Sequence, residues 1–242
     1  MSKEYFNFRY KESYGSPLNV KFVIYSKDAW KACKKILIKS RKIVDLGIGG
    51  GTLVENVHKV TNGHIIGIDQ SEIALKIIKK NYPFVETRCA DVIQTELPNS
   101  AVDTVLSTMT IEHVDDVKML KEVNRILESD GYFFVTSVVK KPWAIYFYKN
   151  DNGESVIEPS HLREYESVES FTNLLKESNF QIIFSCKSII RFSCMDPILK
   201  VISHFLNISD ILRYPIVDKI RLLTRIPIPG YYAVEVLCKK NN

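Results

Sequence analysis

A carboxylate and a burst of glycine stand together in Asp45-Leu46-Gly47-Ile48-Gly49-Gly50-Gly51. Glycine brings bare backbone against a ligand, and a helix start beyond it offers N–H groups. Three ligands compete for such a turn. A nucleotide-triphosphate loop needs Lys and Ser/Thr after its last glycine; here Thr52-Leu53 follows, and that reading fails. A dinucleotide turn wants G-x-G-x-x-G, and from Gly47 the third glycine falls on Thr52. Asp45 separates the remaining choices. Beside a pyrophosphate its charge is repelled; beside an ammonium and a sulfonium it is attracted. S-adenosylmethionine carries both cations. A plain strand–helix turn with a capping acid is the bland alternative.

More acids stand at matching places. Asp69 ends the run "HIIGID", where a carboxylate can accept from both hydroxyls of a ribose, a role shared with dinucleotide enzymes. Asp91 follows the next short apolar stretch, in "CADV". His113 and His161 lie further on, in "IEHV" and "EPSHLREY", and are candidate bases. His58, His64 and His204 fall on helix or strand patterns and are read as structural.

The elements that must position these groups alternate. A helix over 26–39 is capped by Ser26. Strand 42–46, helix 51–60, an Asn62-Gly63 turn and strand 64–69 follow. Ser71 caps a third helix; 84–91 and 101–108 read as strands, and 115–129 as a helix. Asp130-Gly131 turns the chain into "YFFVTSVV", a fifth strand. A helix over 167–179 and two closing strands, "FQIIFSCK" and "YYAVEVLCK", complete the chain. Strands separated by helices predict a parallel sheet covered on both faces, with an antiparallel element at its close. Such a sheet binds ligands beyond the carboxyl ends of its strands. The expected fold is α/β: a Rossmann-like, seven-stranded, mostly parallel sheet with an antiparallel last strand.

Composition sets the bounds. The chain has 242 residues, 45% hydrophobic and 25% charged, enough for one large core. No apolar run is long enough for a bilayer and the opening residues are polar and aromatic, so the cytoplasm is the default expectation. Five scattered cysteines without a CxxC pair argue against a disulfide framework or a zinc cluster, and no metal-binding cluster is visible. A net charge of +5 permits acidic partners without demanding them.

The motif from Asp45 to Gly51 resembles the first motif of the class I S-adenosylmethionine-dependent methyltransferases. "TVLSTMTIEHVDDVKMLKEVNRILESDGYFFVT" resembles the fourth-to-fifth-strand segment of their type 11, ubiquinone-biosynthesis-like branch, with Leu120, Glu122, Arg125 and Leu127 on its helix. Ser129-Asp130-Gly131 replaces that branch's Gly-Gly turn. The resemblance covers 42–139 and continues weakly through 161–183. It implies a single domain: an N-terminal arm and helix over 1–40, a cofactor-binding core over 41–139 and a substrate-side loop over 140–165. It also implies that Asp45, Gly47, Gly49, Gly51, Asp69, Gln70, Asp91, Val92 and Thr108 hold S-adenosylmethionine and its product S-adenosylhomocysteine. Asp91 is there the acceptor for the adenine amino group, with Val92 beside the ring. Tyr5, Tyr10, Tyr14 and Tyr25 stand in an arm of the kind that can fold over the cofactor.

Methyl transfer is an in-line displacement that needs alignment, exclusion of water and, for a hydroxyl acceptor, a base. His113 is the first candidate and His161 the second. The loop Ser107-Thr108-Met109-Thr110 lacks the Asn/Asp-Pro-Pro-aromatic sequence of adenine- and glutamine-methylating enzymes, and has no cysteine nucleophile. No zinc finger or basic nucleic-acid module is visible. The expected acceptor is a small molecule, a sugar or a lipid-linked intermediate, methylated on oxygen or nitrogen, rather than a nucleic acid. A nicotinamide-dependent oxidoreductase and a non-catalytic S-adenosylmethionine-binding partner subunit are the alternatives.

Residues 189–228 stand apart, because the resembled fold has only a short connection there. Asp196-Pro197 starts a helical pattern of Ile198, Leu199, Val201, Ile202, Phe205 and Leu206; Pro215 starts another with Ile216, Ile220 and Leu223. Six basic residues against three acids give the segment a net +3. It reads as a helical insertion: a lid over the acceptor pocket, a homodimer contact in a protein that is otherwise a monomer, or a peripheral membrane contact.

Overall fold

The computed structural model describes Asn7 and residues 26–144, 148–205 and 215–241. The tyrosines of the arm, Tyr5, Tyr10, Tyr14 and Tyr25, lie outside the described residues. Helix α1 (Lys27–Leu37) starts where Ser26 Oγ accepts from Ala29 N–H. Then come β1 (Lys42–Leu46), α2 (Val54–His58), β2 (His64–Asp69) and α3 (Glu72–Asn81), the last capped by Ser71. Strands β3 (Glu86–Cys89) and β4 (Val102–Thr108) lead through a 3-10 turn (Ile111–His113) into α4 (Asp116–Ile126) and β5 (Leu127–Lys140). A small hairpin, β6 (Tyr148–Lys149) and β7 (Ser155–Val156), precedes α5 (Val168–Glu177). The chain closes with β8 (Phe180–Ser193), α6 (Asp196–Phe205), α7 (Pro215–Leu223) and β9 (Arg225–Lys240).

Seven strands make one sheet in the order β3-β2-β1-β4-β5-β9-β8. The first five run parallel, and β9 runs antiparallel to both β5 and β8. The antiparallel strand is the last in sequence, as expected, but it lies one place in from the edge. The pleat explains the two covered faces. Val44, Leu46, Ile66, Ile68 and Val105 point to α4 and α5, meeting Met119, Leu120, Val123, Phe171 and Leu175. Their neighbours Ile43, Ile65, Leu106 and Phe134 point the other way, to Cys33, Leu37, Val54, Val57 and Ile78 of α1–α3. α1 is docked at its start as well: the Ser26 N–H donates to both carboxylate oxygens of buried Glu235 on β9, at 2.9 and 2.7 Å.

Two departures from the sequence reading have local causes. Helix α2 is shorter than 51–60, because Gly51 is spent in the turn at φ +77°. In 189–228, only the middle is helical. Residues on either side extend β8 and β9 as a two-stranded ribbon, pairing Arg191 with Pro227 and Ser193 with Arg225. The helices it carries bury Leu199 and Val217 but expose Ile198, Val201, Phe205, Ile216 and Leu223. No helix among the described residues is long and apolar enough to cross a membrane.

Glu122 of α4 is a latch between the helix and the 95–97 turn. One oxygen accepts from Thr95 N–H at 2.7 Å and Thr95 Oγ–H at 2.6 Å, and Arg125 holds both oxygens at 2.8 Å. Glu122→Ala strands the buried Thr95 donors and should cost roughly 2 kcal/mol. Urea denaturation measures this; a loss under about 0.5 kcal/mol, the range of an ordinary surface substitution, would show the latch to be idle.

Candidate active site

β1 ends in a turn built around Asp69. The N–H groups of Gly47 and Ile48 both donate to the Ile68 carbonyl, at 2.8 and 3.1 Å, which folds the turn back toward β2. One Asp69 oxygen accepts from Gly49 N–H at 2.9 Å and the other from Ser71 N–H at 2.8 Å. This carboxylate therefore fastens the glycine turn to the start of α3. Gly47, Gly49 and Gly51 all have positive φ (72°, 50° and 77°), backbone that side chains resist. At Gly47 there is also no room, since a Cβ would meet Thr110 Oγ1 at 2.4 Å.

Asp45 lies behind the turn, 4% exposed, and its Oδ1 has no hydrogen-bond partner. Burial, with the charge of Asp69 added, pushes its carboxyl up to about 7. Burial pushes Asp69 up too, opposed by the hydrogen bonds from Ser71, Gly49 and Gln70. A buried, unsatisfied carboxylate is costly and fits a cationic partner.

A cleft of about 320 Å³ opens beside the turn, at the carboxyl ends of the strands. Gly47, Gly49, Asp69, Gln70, Val92 and Thr108 line its turn side. Met109 follows, held at φ +52° by donating its N–H to Thr136 Oγ1 at 3.1 Å. The opposite wall is Glu112, His113, Glu158 and His161. Here two distant pieces of chain are stitched together: Leu162 N–H donates to the Glu112 carbonyl at 2.8 Å, and Arg163 reaches Asp116 at 2.6 Å. The rings of His113 and His161 meet edge to face at 4.8 Å.

Each histidine is oriented from behind. His113 Nδ1 lies 3.2 Å from the Ser160 carbonyl, and His161 Nδ1 lies 2.7 Å from Glu164, which also accepts the Ile157 N–H. Burial opposes a charge on His161, but the Glu164 hydrogen bond and the carboxylates of Glu112, Glu164 and Glu158 outweigh it, raising the imidazole above its ordinary value. Glu112 is fully buried. One oxygen accepts from Ser137 Oγ–H at 3.0 Å, and Oε1 has no partner. Burial pushes it to about 7, against the lowering charge of His161.

Eight of the eleven residues singled out in sequence line this cleft: Gly47, Gly49, Asp69, Gln70, Val92, Thr108, His113 and His161. Asp45 and Gly51 support the turn from outside the lining. Asp91 is also outside it, and one of its oxygens accepts from Ile93 N–H at 3.1 Å. His58 stacks on Phe84 and His64 pairs with Glu86, both away from the cleft. Sequence reasoning missed Glu112 and Glu158. It also saw no metal-binding cluster, yet Glu112, His113 and His161 offer three ligand atoms within 4.8 Å of one another. The signal was hidden because His161 is far along the chain; only the adjacency of Glu112 and His113 was available.

Residues 44–135 match the family model described as a methyltransferase domain. Among curated proteins, the chain is 28% identical over 143 residues to a "Probable S-adenosylmethionine-dependent methyltransferase" of Mycolicibacterium smegmatis, covering 59% of this chain and 52% of that one. It is 23% identical over 158 residues to a demethylmenaquinone methyltransferase of Chlorobaculum parvum, covering 58% and 66%. The chain thus spans about half the length of the first curated relatives it matches. The solved structure of a SAM-dependent methyltransferase from Archaeoglobus fulgidus superposes with a TM-score of 0.57 at 18% identity, over 98% of this chain and 99% of that one.

Asp45 carries a pH signature. Its folded value, about 7, lies above the ordinary 3.8, so the folded state holds the extra proton and loses stability as pH rises between the two. Relative to Asp45→Asn, the ligand-free protein should therefore weaken across that window. Paired denaturation curves from pH 4 to 8 check this; a difference that stays flat would mean Asp45 ionises freely.

Proposed function

We propose, for a chain that belongs to the class I S-adenosylmethionine-dependent methyltransferases, that the cleft transfers a methyl group to an oxygen or nitrogen of a small-molecule, sugar or lipid-linked acceptor. The observation that carries the reading is the buried, unpartnered Asp45 Oδ1 behind a glycine turn fastened by Asp69. Gly47, Gly49, Asp69, Gln70, Val92 and Thr108 would hold S-adenosylmethionine, with Asp45 answering its positive charge from behind. Asp69 keeps lone pairs for ribose hydroxyls after its two backbone bonds, since each carboxylate oxygen accepts more than one. Asp91, outside the cleft lining like Asp45, would accept from the adenine amino group, with Val92 beside the ring.

Bound there, the cofactor would supply a sulfonium methyl: the acceptor's lone pair would form the new bond to carbon, the C–S pair would stay on sulfur, and an acceptor proton would leave. The chain's own work is to align the acceptor, exclude water and ease that proton away. We assign the last task to the wall of Glu112, His113 and His161. Both rings are oriented through Nδ1, His113 by the Ser160 carbonyl and His161 by Glu164.

The ribbon carrying α6 and α7 is, in this reading, the acceptor's lid. Its base packs Ile190, Ile228 and Tyr231 with Met109, which itself lines the cleft. The exposed apolar side chains of α6 and α7 beside the basic Lys219 suit an apolar or lipid-linked acceptor and a membrane surface.

Isothermal titration should give micromolar or tighter binding of S-adenosylmethionine and of its demethylated product, and none of NADH. Asp69→Ala should weaken it by about 1–3 kcal/mol, because hydrogen bonds to a charged acceptor and the turn's fastening go together. Tight NADH binding, with no affinity for the sulfonium, would make this a dinucleotide enzyme instead.

Replacing 192–226 with a short Gly-Ser link should leave cofactor affinity within a few-fold and abolish methylation of the acceptor. A shortened protein that methylates at the parent rate removes the lid from the account. If it does so as a monomer where the parent is a dimer, the helices are an oligomer contact.

A further inference from the structure

We propose that Glu112, His113 and His161 bind one divalent transition-metal ion, and that this ion holds and acidifies an oxygen of the acceptor. The donor set is two imidazoles and a carboxylate, whose ligand atoms lie within 4.8 Å of one another. Three protein ligands leave coordination positions open, and the open side is the cleft that all three residues line.

The surroundings are those of metal ligands. A metal-binding histidine turns its second nitrogen to a carbonyl or carboxylate, which fixes the ring and its tautomer. His113 does this with the Ser160 carbonyl at 3.2 Å, and His161 with Glu164 at 2.7 Å. Glu164 is itself pinned by the Ile157 N–H at 2.8 Å. Each ring offers the cluster one nitrogen. Glu112 Oε1 is buried and has no partner, an arrangement that costs stability unless something fills it. A proton relay needs only one oriented histidine; two histidines set around an unsatisfied carboxylate are more than it requires.

The spacing is wider than a closed site. Metal bonds of about 2.0–2.2 Å put neighbouring ligand atoms roughly 3–3.5 Å apart. Ligand atoms as much as 4.8 Å apart must therefore close by up to roughly 1.3–1.8 Å, so the three side chains draw together around the ion. The backbones are already locked together through the bonds from Leu162 and Arg163 N–H to the Glu112 carbonyl. Mixed nitrogen and oxygen donors favour Mn2+, Fe2+, Co2+ or Zn2+ over Mg2+ and Ca2+. On such an ion a hydroxyl loses its proton to water far more readily, so the acceptor is an oxygen compound. No bond change is added to the transfer itself. This role rests on the methyl-transfer reading of the cleft; the metal site does not.

Co2+ is the probe. Full-length protein, freed of metal with a chelator and dialysed, is titrated with Co2+ and followed by visible absorption. One equivalent should bind and develop the d–d bands of a nitrogen- and oxygen-ligated ion. Glu112→Gln and His161→Gln should weaken binding by about 100-fold or more, and Glu164→Gln, which acts only through His161, by roughly 10–100-fold. S-adenosylmethionine affinity, measured on the same samples, certifies that a variant is folded; His113→Gln, on a half-buried ring, serves where a more buried change unfolds the chain. Absence of stoichiometric Co2+ binding, or binding that all of the folded variants keep, overturns the site. Co2+ binding without S-adenosylmethionine binding supports the site and overturns the methyl-transfer reading, so the two fail separately.

Discussion

The Asp69 carboxylate joins three elements at one point. It takes the Gly49 N–H from the turn after β1 and the Ser71 N–H from the start of α3, while sitting itself at the end of β2. Without those bonds the glycine turn, whose residues pay the largest backbone entropy on folding, would have no fixed path. The bonds also set Asp45 in place behind the turn, close enough to Asp69 for each charge to oppose the other. Ligand-free, the region is an electrostatic load: two buried acids, one with an oxygen that nothing satisfies. In the proposed reading a bound cation would relieve that load.

The opposite wall is organised differently. Its residues come from the 3-10 turn after β4 and from the loop before α5, and backbone hydrogen bonds rather than a sheet hold the two together. Buried Asp116 reinforces the seam by accepting from Arg163 at 2.6 Å and from Tyr165 Oη–H at 3.0 Å. In the proposed reading, one wall would recognise the cofactor through backbone and acids on a rigid sheet. The other presents side chains on loops, where specificity can vary without disturbing the fold.

The cofactor wall was legible because its signals are short in sequence. An acid two residues before clustered glycines, and a second acid at the end of the next strand, are readable without knowing the fold. Asp91 was read from the same kind of spacing, after β3, and does not line the cleft itself. The acceptor wall was legible only in pieces. His113 and His161 were visible as histidines, but their proximity depends on how the chain returns after β5. Glu112 drew no reading in the sequence; its burial, with Oε1 left unpartnered, is set by the fold. Likewise the closing strands could be named but not ordered, because pairing β9 between β5 and β8 is a long-range choice. The helical pattern within 189–228, starting at Asp196-Pro197 and at Pro215, matches α6 and α7, whereas the extension of β8 and β9 into a ribbon beneath them depends on long-range pairing.

The central claim is that Asp45 meets positive charge. If so, cofactor binding must pull its raised carboxyl back down and expel a proton. Titrating S-adenosylmethionine at pH 6, below the ligand-free value of about 7, in buffers of differing ionisation enthalpy, counts that proton directly. The account predicts release of a substantial fraction of one proton from the parent protein and almost none from Asp45→Asn. Equal release from both, or none from either, would contradict it.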